Sequence, residues 1–292
     1  MQVTILTPTL NAERHLGECL LSIRHQSHPR HLVQHLVLDG GSSDGTVRMA
    51  WEAGAEVHVE RDGTLYAALN RGVAMASGEI VGWLNADDTF ESGILARVAA
   101  TFRASPRAEI VVGDWVMATP NRDVRMPACT DALLRIRQGR RGRKCWVAPL
   151  AVFFRTDVLR GLGEYSTRYR VAADLDLWVR AAARTPLPEV VHAGQVAGTF
   201  RVHEGSLSSG RSPEVPLKEV LDVASRWIAD TAAPEGVRRF ALYLLRRHRY
   251  ELSRWESRDL PWPRRQAARF RCLRELSRLG PGALGDIRRA IW

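Results

Sequence analysis

Strand and helix signals alternate through the first 120 residues, and this alternation restricts the possible folds more than any other feature of the chain. Apolar runs typical of strands and apolar periods typical of helices follow one another. The predicted strands are 3–6, 35–38, 56–60, 79–84 and 109–113, and the predicted helices are 12–25, 46–53, 64–76 and 91–104. Such alternation predicts an α/β fold with a mostly parallel sheet and helices on both faces.

The pattern changes twice further along the chain. Residues 121–146 lack an apolar period and include a basic stretch at 135–144, which predicts a loop. Order returns with a predicted strand at 146–154, a helix opening near 171 and a strand at 188–200, and helices follow at 216–231, 236–257 and 263–279. We therefore predict a catalytic domain at 1–212, with halves 1–118 and 119–212, and a basic helical region at 213–292.

Polar clusters at 7–11, 39–46 and 85–88 follow three predicted strands, at the strand ends where ligands of parallel sheets collect. Asn85-Ala86-Asp87-Asp88 comes directly after an apolar strand. Two adjacent carboxylates repel each other unless they are solvated or share a cation, and Mg²⁺ or Mn²⁺ accepts such oxygen ligands. The alternative is that the two aspartates only cap the helix that starts near Glu91.

A second cluster runs from Asp39 through two glycines and two serines to Asp44. Asp39 could accept hydrogen bonds from a nucleobase or ribose, and the glycines permit close approach of the backbone. A capped turn explains the same residues equally well, because Ser43 and Asp44 are good N-cap residues.

Charge and cysteine content bear on partners and compartment. The net charge is +10, from 42 Lys and Arg against 32 Asp and Glu, which suggests either phosphate-bearing partners or an arginine-favouring genome. The four cysteines form no metal-binding or disulfide pattern and predict reduced thiols. With neither a signal peptide nor a membrane-spanning segment recognisable, the cytoplasm is the expected location.

Four segments, 7–11, 38–46, 66–72 and 78–88, occur in an order and spacing that resemble family 2 glycosyltransferases of the Rossmann-like GT-A fold. The resemblance continues more loosely to about residue 210. It implies transfer of a sugar from a nucleotide diphosphate-sugar to a hydroxyl acceptor with inversion, assisted by Mn²⁺ or Mg²⁺. UDP is the first expectation for the nucleotide, with dTDP or GDP as alternatives.

The resemblance also assigns residues to the donor site. It implies that the nucleotide is bordered by Pro8, Thr9, Leu10, Asn11, Glu13, Asp39, Asp62, Gly63, Asn70, Asn85 and Ala86. Asp87 falls on the second acid of the family's Asp-x-Asp motif and is the expected metal ligand, with Asp88 and His203 beside it. Asn85 replaces the first acid of that motif, so only one end of it is charged.

The same resemblance implies that the catalytic base is Asp174, at the start of a predicted helix. Asp176 is the competing carboxylate, but side chains two residues apart point to different sides of a helix. Asp176 also has Arg180 four residues later as an ion-pair partner. We therefore expect Asp174 to be the base and Asp176 to be structural.

Residues at the ends of two later strands are candidates for acceptor or phosphate contacts. Arg201 could steady the charge of the leaving group, and His203 could bind metal or phosphate, although a histidine beside a strand is more often structural. Trp115 and Asp114 are candidates for the acceptor pocket. The basic stretch 135–144 is consistent with a flap over the diphosphate, a dock for an anionic acceptor or a solvated surface.

Several partner and function hypotheses remain open at this point. The acceptor is expected to be a saccharide or a lipid-linked molecule in polysaccharide or glycolipid assembly. The C-terminal helices could bind the inner face of the plasma membrane, form a homodimer or pack on the catalytic domain. The rival functions are a nucleotidyltransferase, disfavoured because no basic residue precedes Arg14, and an arginine-rich nucleic-acid-binding protein, disfavoured because no such module is recognisable. We therefore expect no nucleic-acid partner.

Overall fold

The computed structural model describes residues 1–140, 148–203 and 213–278 in two compact units. The first unit consists of Met1–Ala132, 148–170 and Arg184–His203. The second consists of 133–140, Val171–Ala183 and 213–278. The helix that carries Asp174 thus belongs to the same unit as the C-terminal helices, and the domain boundary at residue 212 stays a prediction.

The described strands all lie in the first unit. They are β1 (Val3–Thr9), β2 (Val33–Asp39), β3 (Glu56–Val59), β4 (Ile80–Trp83), β5 (Thr89–Phe90), β6 (Ile110–Ala118), β7 (Asp123–Met126), β8 (Val152–Arg155) and β9 (Val190–Arg201). The helices are α1 (Glu13–Arg24), α2 (Thr46–Glu52), α3 (Leu65–Met75), α4 (Ile94–Ala104), α5 (Ala132–Arg137), α6 (Thr156–Gly161), α7 (Ala173–Ala183), α8 (Glu214–Ala229), α9 (Glu235–Glu256) and α10 (Trp262–Ser277). Short 3-10 helices lie at Arg30–Leu32 and Pro149–Ala151.

The strands form one mixed sheet in the order β3-β2-β1-β4-β8-β6-β9-β5, with β7 paired to β6. The strands β3, β2, β1 and β4 are mutually parallel. Strand β8 runs antiparallel to both of its neighbours, and among the described strands beyond it only β6 and β9 pair in parallel. Because β1, β2 and β4 run in one direction, the loops that follow them leave from the same edge of the sheet.

The core of the first unit lies between this sheet and its helices. Leu16, Leu20 and Ile23 recur with helical spacing on α1 and are all buried. They pack in one cluster with apolar side chains of the sheet such as Ile5 and Phe153. The glycine at position 72 lets α3 approach closely, because a Cβ there would lie 2.6 Å from a methyl group of Leu38.

The second unit is helical, and α8, α9 and α10 make up most of it. Helix α8 packs on α9, and α7 contacts both of them. Helix α10 packs on α9 through a small apolar cluster of Tyr250, Cys272 and Leu276. The predicted all-helical C-terminal region is therefore confirmed within 213–278.

The predicted α/β fold is confirmed, but residues 121–146 and 146–154 differ from expectation. The stretch 121–140 is not a simple loop, since β7 and α5 lie within it. The predicted strand at 146–154 is confirmed only from Val152, where β8 begins, because Pro149–Ala151 form a 3-10 helix. Strand β7 was not predicted because its side chains alternate between exposed and half-buried positions and form no apolar run. Residues 141–147 lie outside the described chain.

The state of one cysteine differs from the prediction of reduced thiols. Cys19 and Cys272 are free and buried, as predicted for reduced thiols. Cys129 is disulfide-bonded, so the prediction of four reduced thiols is wrong for this residue. Cys145 lies outside the described residues. The cysteines therefore no longer support a cytoplasmic location. No helix in the described chain combines the length and apolar character required to span a bilayer.

Candidate active site

The loop after β2 is organised around Asp39, which is fully buried. One carboxylate oxygen accepts hydrogen bonds from the Thr9 hydroxyl at 2.8 Å and the Ser42 hydroxyl at 2.6 Å. The other accepts from the backbone N–H groups of Gly41 at 2.9 Å and Ser42 at 2.7 Å. A carboxylate offers about four lone-pair positions, so the protein itself occupies them here. Asp39 therefore shapes the loop, and a direct bond to a nucleotide would have to replace one of these contacts.

The loop after β1 is locked to the loop after β2. Asn11 adopts a left-handed backbone conformation with φ of 49°, which asparagine tolerates better than most residues. Its side-chain oxygen accepts from the Ser43 N–H at 2.9 Å, and Glu13 accepts from the Gly45 N–H at 2.9 Å. Leu10 is left 62% exposed at this edge of the sheet. The structure thus brings the predicted residues of these two loops together.

Asp62 and Asn70 are both engaged by other protein groups. Both oxygens of Asp62 accept from Arg71, at 3.0 and 2.6 Å. The Asn70 side chain donates to the backbone carbonyl of Tyr165 at 2.9 Å and accepts from its N–H at 2.7 Å. Gly63, with φ of 78°, has no neighbour within 4 Å of an added Cβ. Gly63 is thus the most open of these three positions.

The loop after β4 contains two carboxylates with opposite surroundings. Asn85 accepts from the Trp83 indole N–H at 2.8 Å and donates to Asp88 at 3.1 Å. Asp88 is 1% exposed, and its other oxygen accepts from the backbone N–H of Arg201 at 2.9 Å. Burial, reinforced by the negative charge of Asp87, raises the pKa of Asp88 to about 8. Asp88 thus points inward and ties the loop to β9.

Asp87 points towards His203 instead. Its carboxylate oxygen lies 2.9 Å from Nε2 of His203, and the two side chains are 27% and 29% exposed. An imidazole nitrogen and a carboxylate oxygen are both ligands that Mn²⁺ accepts. No three His, Cys, Asp or Glu side chains are grouped to hold a metal within the described ranges. Asp87 and His203 thus fit a metal only if substrate oxygens supply the remaining ligands, as is usual for Mg²⁺.

His15 and Glu18 of α1 join this cluster through Arg201. The Arg201 guanidinium lies 2.5 Å from Glu18 and 3.4 Å from Nδ1 of His15. The His15 ring lies at a centroid distance of 4.9 Å from the His203 ring and is tilted by 33° to it. Burial and the neighbouring positive groups lower the pKa of His15. Neither residue was predicted as part of the site, although their spacing by three on α1 places them on one helix face.

Asp114 and Trp115 lie next to each other on β6 but differ in their contacts. Asp114 accepts from Arg125 of β7 at 2.7 Å, from the Ala128 N–H at 2.9 Å and from His192 of β9 at 3.0 Å. Although burial opposes the shift, these donors lower the pKa of Asp114 to about 2. Trp115 is 6% exposed, and its indole N–H has no partner within the described chain. Asp114 therefore joins strands, while Trp115 keeps a free donor.

Asp174 lies in the second unit, in the first turn of α7. Its carboxylate accepts from the backbone N–H of Leu175 at 2.7 Å. Burial, with a smaller contribution from the negative charge of Glu219, raises the pKa of Asp174 to about 6. Asp176 instead pairs with Arg180 at 3.0 Å and accepts from the Trp227 indole at 3.3 Å. The expected ion pair of Asp176 is thus confirmed.

Comparison with known proteins decides the family. The family model described as glycosyl transferase family 2 matches residues 4–155, which run from the second residue of β1 to the end of β8 and include the loops that follow β1, β2 and β4. The chain belongs to glycosyl transferase family 2. This membership favours sugar transfer over the nucleotidyltransferase and nucleic-acid-binding hypotheses.

Curated relatives of this family support the assignment. A PGL/p-HBAD biosynthesis glycosyltransferase of Mycobacterium bovis is 32% identical over 191 residues, which cover 63% of this chain and 71% of the relative. Glycosyltransferase AglE of Haloferax volcanii is 24% identical over 247 residues, covering 77% of this chain and 79% of the relative.

Solved structures support the GT-A fold of this family 2 member. Residues 1–349 of TarS from S. aureus, in complex with UDP-GlcNAc, superpose with a TM-score of 0.68 at 18% identity over 99% of this chain and 89% of that one. The mannosyltransferase PcManGT from Pyrobaculum calidifontis, in complex with GDP-Man and Mn²⁺, gives a TM-score of 0.61 at 18% identity, over 99% and 84% of the two chains. The predicted GT-A fold is therefore confirmed.

Proposed function

We propose that this family 2 member transfers a sugar from a nucleotide diphosphate-sugar to a hydroxyl acceptor and inverts the anomeric centre. The observation that carries the proposal is the cluster of Asp87, His203 and Arg201, which joins the loop after β4 and the end of β9 to α1. A carboxylate, an imidazole and a guanidinium at this edge suit a diphosphate that is held partly through a metal ion.

The proposed chemistry is a single displacement. Asp174 accepts the proton of the acceptor hydroxyl, whose oxygen then forms a bond to the anomeric carbon. The bond from that carbon to the diphosphate oxygen breaks on the opposite side, so the configuration inverts. Asp87 and His203 would hold a divalent metal, which offsets charge on the departing diphosphate. The raised pKa of Asp174 supports its role, because a base works best when its pKa approaches the working pH.

The substrates are proposed by analogy with relatives. UDP is the first candidate nucleotide, since TarS was solved with UDP and UDP-GlcNAc, and GDP and dTDP remain alternatives. Binding of Mn²⁺ and GDP-Man by PcManGT supports a metal-assisted donor site. The similarity to a PGL/p-HBAD biosynthesis glycosyltransferase supports a role in glycolipid or polysaccharide assembly, with a saccharide or a lipid-linked molecule as the acceptor. A cytoplasmic location, peripheral at the inner face of the plasma membrane, is part of the same proposal.

A role as a flap over the diphosphate or as a dock for an anionic acceptor is proposed for only part of the basic stretch 135–144. Residues 135–137 belong to α5, and Arg137 donates to the backbone carbonyls of Ala182 and Ala183 at the end of α7. This contact supports a structural role for Arg137. Residues 141–144 lie outside the described part of the chain.

Replacing the proposed base tests the reaction. We expect Asp174→Asn to slow sugar transfer by about 10²–10⁴-fold, because the acceptor proton loses its acceptor. NMR of the product of the parent protein should show an anomeric configuration opposite to that of the donor. Transfer is measured with labelled nucleotide-sugars and a panel of saccharide and lipid acceptors.

Asp157 provides a matched control. It also lies in the first turn of a helix and accepts from the next backbone N–H, that of Val158 at 2.9 Å, but it is exposed. Asp157→Asn should transfer sugar as fast as the parent. A folded Asp174→Asn protein with parental activity, or a product of retained configuration, would refute the proposed mechanism.

A further inference from the structure

Helix α10 carries an unusual combination of exposed aromatic and basic side chains. Trp262 is 71% exposed and Phe270 is 68% exposed, more than any other large hydrophobic side chain in the described ranges. The helix contains five arginines and a single acid, Glu275. Aromatic side chains combined with an excess of basic residues on one helix are typical of helices that lie at an interface.

The two faces of α10 differ in what they contact. One face packs on α9 through Cys272 and Leu276, which are 6% and 2% exposed. Ala267, Phe270 and Arg274 follow the three- and four-residue spacing of the opposite face and are exposed. We define the α10 face as Arg264, Ala267, Phe270, Arg271 and Arg274; the exposed Trp262 is the first residue of the helix.

The charges of the α10 face are not neutralised by the protein. None of Arg264, Arg271 and Arg274 forms a salt bridge with the residues that the structure describes. By contrast, Arg239 and Arg247 of α9 pair with Glu235 and Glu251. The α10 face therefore presents positive charge that the described residues do not balance.

We propose that the α10 face binds an anionic lipid surface. Aromatic side chains on an arginine-rich helix suit the boundary between headgroups and acyl chains, where the rings enter the apolar layer and the guanidinium groups meet phosphates. Arginine is positive at every accessible pH, so the attraction depends on lipid charge and salt. This inference does not depend on the proposed sugar transfer, because lipid binding is measured without substrates.

Vesicle co-sedimentation of the full chain tests the proposal. Vesicles of phosphatidylcholine with phosphatidylglycerol should bind the protein at least tenfold more strongly than phosphatidylcholine vesicles. Each basic residue near an anionic surface contributes roughly a fivefold increase in affinity. Arg271→Gln with Arg274→Gln should therefore weaken binding by about tenfold or more, and Trp262→Ser with Phe270→Ser should weaken it comparably.

Matched controls come from the first unit. Arg48 and Arg107 are exposed arginines, and Trp51 is a 62% exposed tryptophan on α2. Arg48→Gln with Arg107→Gln, and Trp51→Ser, should bind anionic vesicles like the parent. Hydrogen exchange of the unmodified protein should show protection of α10 by anionic vesicles, which keeps the test valid if a variant fails to fold.

Three results would overturn the proposal. The first is equal binding to neutral and anionic vesicles, or no binding to either. The second is an equal loss of binding in the control variants. The third is a different occupant of the α10 face, seen as a dimer or a complex with duplex DNA that forms without lipid and disappears in the α10 variants.

Discussion

Burial raises the pKa values of the Asp88 and Asp174 carboxyl groups, but their contacts indicate different roles. Asp88 accepts from Asn85 and from the Arg201 N–H, and so fixes one loop to one strand. Asp174 is half-buried, and within the described residues it accepts hydrogen bonds from two backbone N–H groups, those of Leu175 and of Asp174 itself. Its remaining lone pairs can accept a proton, which is what a general base requires.

The raised pKa of Asp174 predicts a gain in stability when its charge is removed. Its folded pKa of about 6 exceeds the ordinary value of 3.8, so ionisation costs the folded protein more than the unfolded chain. The stabilising effect of the bound proton is complete below about pH 4 and is lost as pH rises through about 6. Asp174→Asn should raise the free energy of unfolding at pH 8 by up to about 3 kcal/mol.

Urea unfolding at several pH values measures this difference. The gain of Asp174→Asn over the parent should shrink towards zero as pH falls to about 4. A variant that is less stable than the parent at pH 8 would show that Asp174 is paired favourably and has no raised pKa.

At the scale of elements, α8 holds the start of α7 through one side chain. A single carboxylate oxygen of Glu219 accepts from the backbone N–H groups of Val171 and Ala172, at 2.8 and 3.0 Å. These groups lie just before the first turn of α7, where a negative charge also interacts well with the helix dipole. The same charge contributes to the raised pKa of Asp174.

Changing Glu219 should therefore shift the pH dependence of sugar transfer. In the parent, activity should fall as pH drops through about 6, because the base becomes protonated. Glu219→Gln keeps an acceptor oxygen but removes the charge, so the pKa of Asp174 and the acid limb of the profile should move to lower pH. Glu219→Ala removes the hydrogen bonds as well and should cost about 1–3 kcal/mol of stability.

Rate profiles of the parent and of Glu219→Gln provide the measurement. Lys218→Gln is the control, because it alters a charge on the same helix that pairs with the exposed Glu214. An acid limb that stays in place in Glu219→Gln, or that moves equally in Lys218→Gln, would rule out this coupling.

At the scale of the whole molecule, the parts predicted from sequence are those that depend on local pattern. The strands β1, β2 and β4 are apolar runs, and the polar loops after them identify the edge that carries Asp39 and Asp87. The two-residue strand β5 has no pattern of its own, since it forms by pairing with β9. The contacts of Arg201 with His15 and Glu18 join residues more than 180 positions apart, and no local signal reports them.

The central claim is that Asp87 belongs to a metal-assisted site for a nucleotide diphosphate. Thermal unfolding with UDP, GDP, dTDP and CDP, each with and without Mn²⁺, tests this claim most directly. A ligand that binds only the folded state raises Tm. We predict that one of these nucleotides raises Tm, that Mn²⁺ enlarges the shift, and that Asp87→Asn loses the Mn²⁺-dependent part while Asp157→Asn retains it. No shift with any nucleotide, or an undiminished Mn²⁺-dependent shift in Asp87→Asn, would contradict the account.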